Sequence, residues 1–361
     1  MKKTLSLLLI LLVLLACGCE RGPKTPEVSA SMRLVGMDIY SDDGSGYRKS
    51  GSVDITPLPE GGFTKTDRNL SGVRTMETDY DALGRRIALR VYAENGESVT
   101  SDLRYSFDGE SDRVTLLLEY REQGLIFRTE TTYDERGNAI LENMVSDEDY
   151  DGTFEPEHVF RYAYEYDGEG RIARKEFSCE QQPSMDAVYV YEYDAAGNLL
   201  KQAQLRYDRE YYVTVWTYDE HGSKLTERYS EDGETKRMAD WAYTYDAAGR
   251  ILETLSGDGS GVSNENYRTR RVNEYDEWGN CLRSCSYEPG VEEPVSSTVY
   301  TLEFAEGQLA AMTLENRSYL SQNTRTVFRY EEAEGDQSAR NRAILTACGY
   351  QVEYPAAKEE R

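Results

Sequence analysis

The sequence predicts an all-β protein, a repeat array of antiparallel β-hairpins forming one long meander in a curved or spiralling sheet. Three observations predict it. The motif Tyr-Asp-x-x-Gly recurs along most of the chain, and 29 Tyr and 29 Gly stand against only 9 Pro in 361 residues. The runs before each motif alternate aromatic with small or polar residues. Tyr suits a half-buried pleated surface and Gly suits tight turns, so composition and pattern agree.

The stretch Val188 to Leu200 shows the unit. Tyr189, Tyr191 and Tyr193 fall on one face of an extended segment, and Val188, Val190 and Glu192 on the other, because successive strand side chains point to opposite sides. Asp194 opens a turn in which its carboxylate can accept backbone N–H groups. Gly197, three residues on, supplies the positive φ that reverses the chain. Leu199 and Leu200 begin the returning strand, which makes the unit half of a hairpin.

Copies begin at Tyr80, Phe107, Tyr133, Tyr166, Tyr193, Tyr218, Tyr245 and Tyr275, with a degenerate one at Phe304, spaced by 25 to 33 residues. A second Gly turn lies between them, as in Glu94-Asn95-Gly96, Glu122-Gln123-Gly124, Glu231-Asp232-Gly233 and Gly257-Asp258-Gly259. Each repeat is then one up-and-down pair of strands, and the array should hold roughly eighteen to twenty strands. Tyr162, Tyr164 and Tyr166 share parity with Tyr189 to Tyr193, with Trp216 and Tyr218, and with Trp241 to Tyr245. Wide sheets twist and curl, so the aromatic face is expected on the inside of the curve.

Tyr-Asp-x-x-Gly followed by Asn or Arg and then Leu or Ile, as in Tyr133 to Ile140, Tyr193 to Leu199, Tyr245 to Ile251 and Tyr275 to Leu282, resembles the YD repeat of rearrangement-hotspot and wall-associated bacterial proteins. The resemblance covers about residues 74 to 310. It implies long hairpins wound into a sheet, in the largest members a hollow shell around a toxin, and an association with cell-surface contact or carbohydrate binding. Here the period is longer than in the family, the chain is short for a closed shell, and no toxin segment follows the array.

The ends read differently. Residues 1–16 have the form of an export signal, with Lys2 and Lys3 before a Leu-rich run. Leu14-Leu15-Ala16-Cys17 resembles the bacterial lipobox, which implies lipidation at Cys17 and an extracytoplasmic, membrane-anchored chain. Residues 17–30 form a lipidated tether, 31–73 supply N-terminal strands that cap the array, 74–332 are the repeats, and 333–361 are a C-terminal cap and tail. Ile344 to Tyr354 reads as a closing strand.

The formal charge of −25 argues against nucleic acid, whose binding depends on Lys and Arg displacing counterions. With two His and no nucleophile elbow, P-loop or His-Glu-x-x-His, the common hydrolase and nucleotide signatures are missing. The best local site is Asp147-Glu148-Asp149-Tyr150-Asp151-Gly152, where carboxylates at positions 1, 3 and 5 and Gly at 6 match the first half of a calcium loop. Asp147, Asp149 and Asp151 are the candidate calcium ligands, although His158 stands where that loop needs Glu. The alternative is a solvated acidic turn. Cys179, Cys281, Cys285 and Cys348 lack metal spacing, and Cys281 and Cys285 on one strand lie too far apart to bridge, ~13 Å. Trp216, Trp241 and Trp278 mark where repeats differ and are the candidate ligand contacts, against a reading of the aromatic rows as core. Together these features point to a non-enzymatic cell-surface lipoprotein scaffold that binds a glycan or protein partner. The alternatives are a purely structural envelope protein and a carbohydrate-active hydrolase.

Overall fold

The computed structural model describes residues 29 to 354 except 30, 43, 45, 306, 307 and 318–322. The signal sequence, Cys17, most of the tether and the last seven residues therefore lie outside the described residues. Twenty-two strands follow in chain order. They are β1 (Met32–Asp42), β2 (Tyr47–Pro57), β3 (Phe63–Asn69), β4 (Arg74–Tyr80), β5 (Arg86–Tyr92), β6 (Val99–Phe107), β7 (Val114–Arg121), β8 (Gly124–Tyr133), β9 (Ala139–Ser146), β10 (Glu155–Tyr166) and β11 (Ile172–Cys179). The second half comprises β12 (Ala187–Tyr193), β13 (Leu199–Arg206), β14 (Arg209–Tyr218), β15 (Lys224–Glu231), β16 (Glu234–Tyr245), β17 (Ile251–Ser256), β18 (Thr269–Tyr275), β19 (Cys281–Tyr287), β20 (Ser296–Ala305), β21 (Gln308–Arg317) and β22 (Asn323–Glu332). One helix, α1 (Ser338–Ala347), follows.

Every strand pairs antiparallel with the next, and β22 pairs back onto β1, with Met37 opposite Phe328 and Ile39 opposite Thr326. The meander and its curvature are as expected, and the curve goes full circle, closing the sheet into a barrel. Closure removes both edges, which a long exposed sheet would offer to other chains. A ring of 22 strands ~4.8 Å apart has a backbone radius on the order of 17–22 Å, depending on strand tilt. The chain is long enough to close because it closes as one ring of hairpins.

Register assigns the two faces. Met37 opposite Val53, Tyr162 opposite Phe177, Tyr189 opposite Gln204, Trp216 opposite Glu227, Tyr243 opposite Thr254 and Leu302 opposite Met312 all share one face. That face is the inner one, because the C-terminal segment lies on it and takes a chord. Ala347 lies beside the β4–β5 turn, 3.9 Å from where a Cβ on Gly84 would be, and the Glu353 carbonyl accepts from Asn280 after the β18–β19 turn. Along the sheet those turns are about 34 Å or more apart, whereas six residues of chain span at most ~21 Å. Only a concave face permits this. The outer face carries ion pairs around the ring, among them Arg90–Asp79, Arg104–Asp102, Arg174–Glu176, Lys201–Glu192 and Arg283–Glu274. A lipid-facing barrel needs a continuous apolar band there, so this wall is built to face water.

The hydrophobic core sits at the closure seam. Leu34, Met37, Val53, Ile55, Phe63, Leu309 and Phe328 from the wall pack with Ile344 and Leu345 of α1. Residues 344–347 are thus helical, not part of a closing strand. Ala, Arg and Leu in Ser338-Ala-Arg-Asn-Arg-Ala-Ile-Leu favour a helix, and Gly349, at φ +92°, stops it. Gly349 N–H donates to Thr346 O and Tyr350 N–H to Leu345 O, which is the Schellman arrangement. Asn341, 1% exposed, accepts from Leu34 N–H and donates to Met32 O and to Gln308 Oε1, so one side chain ties the helix to β1 and β21.

Candidate functional site

The end of the barrel that carries the Tyr-Asp turns is built one way throughout. In the β12–β13 turn, Gly197 N–H donates to Asp194 O, while Ala196 and Asn198 N–H donate to Asp194 Oδ1. Asp81, Asp134, Asp167, Asp219, Asp246 and Asp276 repeat the pattern. The residue after Gly then reaches sideways. Arg171 Nη1 donates to Asp194 O and Arg250 Nη1 to Asp276 O, and their guanidinium groups lie over Tyr193 and Tyr275. The tyrosine reaches back to the preceding hairpin: Tyr193 OH donates to Ile172 O, Tyr218 OH to Leu199 O and Tyr245 OH to Asp219 Oδ2. Each repeat is clasped to both neighbours.

The carboxylates of Asp81, Asp134, Asp167, Asp194, Asp219 and Asp246 are held below the usual range. At Asp194 the side-chain amide of Asn198 is the largest cause, and at Asp246 it is the backbone N–H of Arg250. At Asp81 burial pushes the other way but is outweighed by hydrogen bonds from Arg85. An ionised carboxylate whose oxygens are taken by fixed donors is a structural group and a poor proton shuttle.

The three candidate tryptophans separate. Trp216 and Trp241 are half-buried on the inner wall, where Trp216 Nε1 donates to Glu227 Oε2 at 2.9 Å and Lys224 lies over the Trp216 ring. Their strands, β14 and β16, are two spacings apart, ~10 Å. Trp278 instead sits in the β18–β19 turn, 40% exposed, edge-on to Phe304. Burial pushes up the phenols of Tyr218 and Tyr243, which share these two strands, so both stay protonated at neutral pH. Their O–H groups donate to Leu199 O and Lys224 O within the wall, which leaves ring faces and phenol oxygens to a ligand.

The C-terminal segment crosses the mouth at this end. Asn280 donates to Glu353 O and accepts from Glu353 N–H at 2.6 Å, a two-point clasp on the tail backbone. Between the tail and the wall lies a cavity of about 800 Å³, lined by Tyr300, Leu302, Met312, Leu314, Tyr350 and Val352 among others. Neither the clasp nor the cavity was read from sequence. Asn280 also bonds Asp276 within its own turn, and its tail partner lies 73 residues away.

Asp147, Asp149 and Asp151 do come together in the β9–β10 loop, with carboxylate oxygens within 4.8 Å of one another. Asp147 is buried and accepts from Asp151 and Gly152 N–H. The loop leads straight into β10, where Glu157 accepts from Ser146 and His158 points elsewhere, so the second half of a calcium loop does not form. Among the described residues the four cysteines Cys179, Cys281, Cys285 and Cys348 are free.

Comparison with known proteins adds a family signal. Residues 218–260 match the family model for the RHS Repeat, spanning the β14–β15 and β16–β17 turns. That stretch of the chain is similar to the RHS Repeat. None of the curated proteins matches it. Among solved structures, TcdB2-TccC3 matches at 10% identity and a TM-score of 0.30, covering 88% of this chain and 21% of that one. The same complex without its hypervariable C-terminal region matches at 11% identity and 0.31, covering 90% and 20%. A porin-like protein from Bacteroides uniformis matches at 9% identity and 0.26, covering 85% of this chain and 100% of that one. The chain spans about a fifth of the first two.

Proposed function

We propose that this chain is a non-enzymatic, lipid-anchored extracytoplasmic scaffold that binds a glycan through the inner wall of its RHS-repeat barrel. The observation that carries the reading is the pair Trp216 and Trp241, half-buried on one wall and two strands apart, flanked by neutral tyrosines. Flat aromatic faces at that spacing suit successive rings of an extended sugar chain, with phenol oxygens accepting hydrogen bonds from sugar hydroxyls. The non-enzymatic part rests on the turn carboxylates, whose oxygens are engaged by structural donors.

Lipidation at Cys17 would place the anchor at the plugged end. β1 enters the barrel there, and the longer loops 147–154, 257–268 and 288–295 leave from the opposite end. A protein partner is the second reading, favoured by Tyr207, which is 89% exposed at the tip of the β13–β14 hairpin at that distal end with φ +51°.

Glycan-array binding of the mature chain tests the first reading. Binding that is lost in both Trp216→Ala and Trp241→Ala is the expected result. No binding to any glycan would overturn it, and release of reducing sugar from a bound polysaccharide would return the chain to the hydrolases. For the anchor, Cys17→Ser is expected to move the protein from the membrane fraction to the soluble one.

A further inference from the structure

Met144, His158 and Cys179 come from the adjacent strands β9, β10 and β11 and share the inner face near the end opposite the Tyr-Asp turns. His158 is directly opposite Met144, and Phe160 is opposite Cys179. Pairing is unbroken from Arg161 opposite Leu141 to His158 opposite Met144, so the imidazole keeps the parity of Tyr162 and Tyr164. Cys179 is 2% exposed, and its Sγ lies 3.7 Å from His158 Nδ1. Side chains directly opposed on a sheet have Cβ atoms ~4.5–5.5 Å apart, within reach of a Met thioether. Phe160 stacks on both His158 and Phe177, each at 5.3 Å, and gives the group an apolar flank.

We infer that Met144, His158 and Cys179 form a binding site for cuprous copper. Thiolate, thioether and imidazole are a soft donor set that selects Cu(I) over hard cations. With metal bonds of ~2.3 Å to sulfur and ~2.0 Å to nitrogen, an ion bridging the 3.7 Å gap subtends an S–metal–N angle of about 120°. That angle is trigonal and leaves the third position to the Met144 sulfur. A structural zinc ion would need four N, S or O donors in a tetrahedron, and this trio supplies three, one of them a thioether. Cys179 N–H donates to Asp186 Oδ1 at 2.9 Å, which fixes the cysteine backbone. On binding, the thiol proton leaves to solvent as the S–Cu bond forms, and copper stays monovalent. The site shares no residue with Trp216, Trp241 or the Asp147 loop and does not rest on the glycan reading.

Anaerobic titration of the full chain with Cu(I), against a chromophoric Cu(I) chelator, tests the site. Copper held anywhere else on the chain is common to wild type and variants, so the readout is a difference. Wild type is expected to hold one equivalent more than Cys179→Ser or His158→Gln, whereas Cys281→Ser keeps that equivalent. The chain has only two histidines, so the His158 imidazole resonance, assigned through His221→Gln, is expected to shift as the first equivalents bind to otherwise unaltered protein. Equal stoichiometry in wild type and Cys179→Ser, or a His158 resonance that stays put while copper loads elsewhere, would overturn the assignment.

Discussion

Tyr218 and Asp219 show how one dipeptide does two jobs: the carboxylate folds its own turn, and the phenol holds the hairpin before it. Removing only the Tyr218 hydroxyl leaves Leu199 O without that donor. Tyr218→Phe is expected to cost about 1 kcal/mol, read as a lower denaturant midpoint at unchanged slope. The aspartates have a collective consequence for pH. Asp81, Asp134, Asp167, Asp194, Asp219 and Asp246 are all held below their ordinary values in the folded chain. A carboxylate with a depressed folded value stabilises the fold fully above its unfolded value, ~3.9, and stops doing so as pH falls through the folded one. The melting temperature should therefore hold from pH 7 to about 5 and drop steeply below about 4. In Asp194→Asn, which cannot ionise, the drop should be shallower; an identical acid profile would show that these carboxylates do not drive acid unfolding. This scale was the most legible in sequence, because Asp and Gly three apart act within one turn.

Among elements, α1 and its tail were the least legible. Ile344 to Tyr354 has strand-like composition, yet Gly349 ends a helix there, and the wall that receives Leu345 is assembled from strands as distant in sequence as β1 and β22. No local pattern announces such a dock. Leu345 is 1% exposed, so Leu345→Ala should cost about 2–5 kcal/mol. Asn280→Ala should act differently, because it severs the tail clasp and leaves the helix dock intact. Hydrogen exchange is expected to lose protection at Glu353 N–H while the Met37 amide keeps its own. Equal loss at both positions would mean that the tail and the seam open together, making the segment part of the barrel's cooperative unit.

At the scale of the whole molecule, the repeats specify hairpins and a common aromatic face, but ring closure depends on a pairing between Gly36 and Arg329 that no repeat encodes. The inner position of Trp216 and Trp241 was legible as parity. The Cys179–His158 contact was not, because it depends on the register of β10 against β11, which the spacing of the repeats does not set. Closure has its own point of weakness. A Cβ at Gly36 would lie 2.3 Å from Val53 O and 2.4 Å from Arg329 Nη2, and Arg329 itself bridges the seam by donating to Val53 O and Asp54 Oδ1. Gly36→Val would displace that arginine and push β1 off β2 or β22. An opened ring exposes two strand edges, each able to pair with another copy. The variant is therefore expected to lose amide protection in β1 and β22 and to elute as higher oligomers, while the β12–β16 hairpins stay protected because their clasps are local. Should it remain monomeric with β1 and β22 protected, the seam would tolerate a side chain, and closure would rest instead on the α1 core.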